Sequence, residues 1–173
     1  MRIAMMKPGL LLAVLTVTVI SSACCSNQKV VPFVPEMRLL EPGTIPHISG
    51  GPVRLVNAQP DETLFCLLDF ALSHDCFFVS TKRAWTQAII DQMAAELRRM
   101  GIQVSPDAHK GLSFRVEKAQ ILPKGRTSVL ITVKTPDGMN NQYRCSHPSR
   151  AGGAIANTVA AILRDPRIQQ YIQ

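Results

Sequence analysis

A chain of 173 residues with 19 Lys and Arg against 12 Asp and Glu carries a net charge of +7 at neutral pH. Its 46% hydrophobic content and its length suffice for one domain with a real core. The cations form no dense basic block, which argues against a nucleic-acid binder.

Chain order begins with Met1 to Lys7, a short basic leader, and then an uncharged apolar run from Gly9 to Ala23. A basic n-region, an apolar h-region and small residues before a cut read as a secretory signal. The run is too short for the roughly 20 residues of a spanning helix. Ser21-Ser22-Ala23-Cys24 places a cysteine directly after small residues and resembles the lipobox of bacterial lipoproteins. That resemblance implies that Cys24 becomes the lipid-bearing first residue of the mature protein. An ordinary signal cut near Ala23 and an uncleaved anchor helix are the alternatives. Each buried CH₂ adds about 0.8 kcal/mol of membrane affinity, so two or three acyl chains anchor durably. Two of the 19 basic residues, Arg2 and Lys7, leave with the leader, so 17 against 12 make +5. This surplus reads as a solvated surface, with attraction to anionic lipid head groups or another acidic envelope surface as the alternative.

Residues 24–52 are expected to form a proline-rich tether, since Pro32, Pro35, Pro42, Pro46 and Pro52 stiffen the chain and remove donors. Apolar Val30 to Val34 could lay one short strand on the domain. Residues 53–173 are expected to be a single α+β domain. Val53 to Ala58 reads as its first strand, and Thr63–Asp69 and Cys76–Val79 as a β-prone pair turning at Ser73-His74-Asp75. Leu64 to Leu72 could instead coil as a helical turn.

A helix is expected from about Lys82 to Met100, capped by Ser80 or Thr81 and stopped at Gly101. Its apolar stripe is Trp85, Ile89, Met93, Leu97 and Met100. Three strands follow. Leu112, Phe114 and Val116 alternate with polar residues, and the phase slips near Lys118-Ala119, predicting a bulge. Val129, Ile131 and Val133 mark the next strand, Asp137-Gly138 a hairpin turn, and Gln142 to His147 the third strand. Arg150 to Leu163 reads as a second helix with Ile155, Val159, Ile162 and Leu163 inward, and Asp165-Pro166 opens a last short one to Ile172. The expected architecture is an α+β fold: an antiparallel sheet with two helices packed on one face, preceded by signal peptide (residues 1–23) and extended tether.

With Cys24 given to lipid, Cys25, Cys66, Cys76 and Cys145 remain. Cys66 and Cys76 flank a short segment that could fold back and join them as a disulfide; the alternative is that Cys66, Cys76 and Cys145 are small buried hydrophobes. His74 beside Cys76 makes only two ligands, which is no metal site. Ser73-His74-Asp75 supplies the letters of a triad, but adjacent residues point apart, so contiguity argues against one. Gly152-Gly153 at a helix start could bind an anion, although close packing against the sheet is the plainer reading. Asp69, Asp75, Asp91 and Glu96 form no recognisable acid–base pair. The expectation is a protein that is not an enzyme, with no cofactor beyond the covalent lipid on Cys24.

Several of these features together carry a resemblance. The lipobox, the proline-rich stretch, the helix ending at Gly101, and the run from Asn140-Asn141-Gln142-Tyr143-Arg144-Cys145 to Asp165-Pro166-Arg167-Ile168 resemble the YajG family of bacterial lipoproteins. The similarity covers roughly Val53 to Ile172, and the chain departs from the family in its cysteines at 66 and 76. The resemblance implies an envelope address, an outer-membrane anchor facing the periplasm. Two roles follow: binding an unknown envelope protein partner or assisting assembly, with an exposed sheet edge or tether as contact surface; or holding a lipid as auxiliary subunit of an envelope transport system.

Overall fold

A computed structural model describes residues 29–33, 35–60, 62, 64–66, 76–122, 125–148 and 150–173. Two sheets are present. The strands β1 (Lys29–Pro32), β3 (Leu64–Cys66) and β4 (Cys76–Thr81) form the smaller, in the order β1-β4-β3. The larger is β2-β5-β6-β7, from β2 (Val53–Asn57), β5 (Lys110–Ile121), β6 (Thr127–Lys134) and β7 (Asn140–His147). Helices α1 (Lys82–Arg99) and α2 (Ala151–Arg164) pack on one face of the larger sheet, and α3 (Pro166–Ile172) follows α2 directly.

The class is α+β, as the order of elements indicates. The larger sheet is mixed, because β2 pairs with β5 in parallel while β5, β6 and β7 run antiparallel. The route from β2 to β5 passes through α1, and a helical crossover is what brings two strands back in parallel. The expected slip in β5 is a bulge between Val116 and Lys118. There the Val116 amide donates to the Thr86 hydroxyl of α1 at 3.1 Å. A helix side chain thus meets a backbone donor at the irregularity.

Helix α1 begins where Thr81 Oγ1 accepts from the Ala84 amide at 3.0 Å. It ends in a paired hydrogen-bond motif, Ile102 N–H to Leu97 O and Gly101 N–H to Arg98 O. Gly101 sits at φ 84°, the left-handed geometry a side chain resists. Trp85, Ile89, Met93 and Leu97 are wholly buried against Leu112, Phe114, Val116, Ile131, Ile155, Val159 and Ile162. Ile162 and Leu163 of α2 are buried as its spacing predicts.

The proline-rich stretch departs from its expected role as a tether. From Phe33 on it lies on the domain: Phe33 stacks on Trp85 at 6.0 Å, and Leu40 and Ile48 enter the core. Proline removes N–H groups but leaves apolar surface and carbonyls free to pack. Residues 35–48 therefore form a strap across α1. Residues 1–23, and 24–28 of the expected tether, lie outside the described residues. No helix among the described residues is long and apolar enough to cross a membrane.

Candidate functional site

The strap is held by side chains from a helix, not by another strand. Gln92 and Glu96, one turn apart on α1, are both buried. Gln92 Oε1 accepts from the Arg38 amide at 3.2 Å, and its Nε2 donates back to the Arg38 carbonyl. Glu96 Oε1 accepts from the Leu40 amide at 2.7 Å, while Arg99 donates to the Leu40 carbonyl at 2.8 Å. Arg99 also pairs with Glu96 Oε2 at 2.7 Å. These contacts reproduce the exchange of bonds that a neighbouring strand would make with alternate residues. Backbone groups of the intervening residues then point away from α1. Two of those residues, Met37 and Leu39, are large, apolar and more than half exposed, at 55% and 54%. The strap thus presents an extended, apolar outer edge.

A second polar cluster joins β7 to the α2–α3 corner. Asp165 Oδ2 accepts from the Tyr143 hydroxyl at 2.7 Å and from Asn141 Nδ2 at 3.1 Å. Its Oδ1 caps α3 by accepting from the Arg167 amide at 2.9 Å, and the Arg167 guanidinium closes the cluster at 3.2 Å. Burial, and then the bond to Asp165, push the Tyr143 phenol well above its ordinary range. Burial alone would raise the Asp165 carboxyl; the hydrogen bonds from Tyr143 and Arg167 outweigh it and hold the group below its usual value. A neutral phenol donating to a carboxylate that also caps a helix is a clasp, fixing the helix corner to the sheet.

The residues singled out from the sequence fall as follows. Cys24, Ser73, His74 and Asp75 lie outside the described residues. Cys66 ends β3 opposite Val79, and Cys76 starts β4 beside Lys29, so the register places the two cysteines three residues out of step. Cys145 is a half-buried free thiol, pushed up by burial more than the Thr158 hydrogen bond lowers it. A Cβ on Gly152 would come within 2.6 Å of the Glu36 carbonyl, and one on Gly153 would strike the His147 ring. Both glycines thus serve close packing, one against the strap and one against β7. Asp91 bonds to Gln87 and Glu96 to the strap, 56 residues away in sequence from Leu40. Among the described residues no group of three or more His, Cys, Asp or Glu could hold a metal ion.

Among the described residues, two of the recesses are wide and open. One of about 530 Å³ lies between the strap and the end of α1, lined by Pro42, Ile45, His47, Arg99 and Met100. The other, about 570 Å³, lies beside the clasp between Lys110, Asp137, Met139, Arg167 and Tyr171. Neither aligns a Ser or Cys with a base as nucleophilic catalysis requires. Gln92 and Glu96 were invisible as strap holders in the sequence, because polar residues on a helix read as its solvated side. The only signal was their spacing of four beside the apolar stripe.

No family model matches the chain, and no curated protein does. Among solved structures it is similar to the crystal structure of protein XCC0632 from Xanthomonas campestris, of the family model DUF330. The two share 11% identity at a TM-score of 0.46, over 82% of this chain and 93% of that one. At that score the likeness assigns neither family nor role.

Proposed function

We propose that the protein is a membrane-anchored bacterial envelope lipoprotein, non-enzymatic, whose domain binds an envelope protein partner or assists assembly at the periplasmic side of the outer membrane. The observation that carries the reading is the cysteine at the end of the small-residue cut, Ser21-Ser22-Ala23-Cys24, behind a basic and then apolar leader. The resemblance to the YajG family points the same way. The outer edge of the strap is the contact surface. An extended segment whose inward backbone groups are satisfied by α1 leaves its outward groups for strand addition, with Met37 and Leu39 as apolar anchors.

The alternative role, holding a lipid for a transport system, needs space between sheet and helices. There the described core is filled by Trp85, Phe114, Met93, Ile131 and Ile155, all essentially inaccessible. This favours the protein-binding role. Three experiments decide. In cells fed labelled palmitate, Cys24→Ser should leave an unprocessed and unlabelled precursor; normal labelling of that variant rejects the anchor. A photo-crosslinking residue at Met37 or Leu39 in intact envelopes should capture one reproducible protein. Lipid co-purifying in native mass spectrometry, with no such adduct, would favour the transport role.

A further inference from the structure

We infer that the open face of the larger sheet is a membrane-docking surface that rests on anionic phospholipid head groups. The inference builds on the lipid-anchored reading above and names what the anchored domain lies against. Both large helices cover one face of the sheet; strand alternation sends the other set of side chains to the opposite face. That face carries Arg54 from β2, Arg115 and Lys118 from β5, Lys134 from β6 and Arg144 from β7, all exposed. Its carboxylate, Glu117, is occupied: it accepts from the Thr132 hydroxyl at 3.0 Å and faces Arg115 at 3.7 Å. Five cations against one paired acid make a strongly positive plane.

The register places Lys118, Leu130 and Arg144 in one row across three strands. Lys118 and Arg144 are therefore two strand spacings apart, about 10 Å. Between them lies a recess of about 100 Å³ lined by Gln120, Ser128 and Leu130, small and mainly polar, suited to a phosphate oxygen cluster and too small for an acyl chain. Protein interfaces are built around aromatic anchors. Among the described residues this face has dispersed cations and no aromatic. A membrane needs no fixed partner for each cation, because its charged lipids move to them, and each basic residue near an anionic surface adds attraction.

Chain length supplies the independent argument. Cys24 and Lys29, the first residue of β1, are only five residues apart. Five residues span at most about 17 Å even when fully extended. With the strap folded onto the domain, no long spacer lifts it, so an acylated Cys24 holds the domain at the head groups.

The test is footprinting with a membrane-impermeant amine reagent, using the full chain as isolated from the envelope and reconstituted on vesicles. One set is phosphatidylcholine; the other contains about one third phosphatidylglycerol, enough for a negative surface potential. Lys118 and Lys134 should label several-fold more slowly on the anionic set, while Lys82 on α1 should not change. Salt at about 0.5 M should restore labelling. Arg54→Glu with Arg144→Glu should remove the protection and leave acylation intact. Equal labelling on both vesicle types by a chain whose Cys24 carries acyl mass overturns the docking face and leaves the anchor standing. An unacylated Cys24 overturns the anchor, and the same labelling of that chain mixed with the vesicles still decides the face. Protection found only in intact envelopes, and never on pure lipid, overturns the inference in favour of an acidic protein on this face.

Discussion

Glu96 joins two parts of the chain that sequence distance separates: it accepts from Leu40 and pairs with Arg99 in the same turn of helix. Its replacement by alanine leaves the buried Leu40 amide without an acceptor, a loss of about 1–3 kcal/mol. Glu96→Gln keeps an oxygen for Leu40 and should lose less, since its partner Arg99 is partly in water. Urea midpoints of the two variants, read at unchanged slope, check the order. Asp165 answers to pH. Its folded carboxyl sits below the ordinary value, so its contribution is present above about pH 4 and fades as pH falls through the folded value. Asp165→Asn should be less stable than the parent at neutral pH, by about 1 kcal/mol for the weakened cap and clasp. The gap should narrow as pH falls through the lowered folded value. A gap that persists undiminished in acid would show that the carboxylate charge contributes nothing.

At the scale of elements, side-chain period told most of what was legible. Trp85, Ile89, Met93 and Leu97 recur on one stripe, and the structure buries all four. The bulge was legible because alternation in β5 changes phase at a definite residue, and the α1 stop because Gly101 directly follows Met100, the last residue of the apolar stripe. Strand direction was not legible: Val53–Asn57 has the same pattern whether it pairs in parallel or antiparallel, and only the crossover through α1 decides. The strap was missed because proline content hides Leu40 and Ile48, two apolar residues spaced too widely for any regular period. Glycine at 152 and 153 was legible as close packing, and its cost can be measured. Gly153→Ala forces a methyl group against His147 and should destabilise by about 1–3 kcal/mol. Gly152→Ala should act on the strap, where hydrogen exchange at Arg38 and Leu40 should accelerate while α1 amides keep their protection. The cysteine pairing is read at this scale too. Non-reducing peptide maps test the expected pair: a linked peptide establishes the Cys66–Cys76 disulfide, and separate peptides reject it.

For the molecule as a whole, the proposed lipid anchor sets two constraints on where the domain would sit: the short connection from Cys24 to Lys29 and the basic plane of the larger sheet. They can be separated, because length acts on any bilayer and charge acts only on an anionic one. The chain has a single tryptophan, Trp85, buried beneath Phe33, which serves as a native energy donor to a dansyl-labelled lipid. An inserted Gly/Ser segment of about 20 residues between Asn27 and Gln28 has a root-mean-square span of about 25 Å, enough to release the length constraint. On neutral vesicles, transfer from Trp85 should then fall sharply, since nothing but the connection held the domain down. On anionic vesicles it should stay near the parent value at low salt and fall when salt shortens the reach of the charges to about 3 Å at 1 M. Loss of transfer on both vesicle types at low salt would assign the domain's position to the connection alone. Retention on both would require an apolar contact with the bilayer, for which Met37 and Leu39 on the strap are the residues to substitute next.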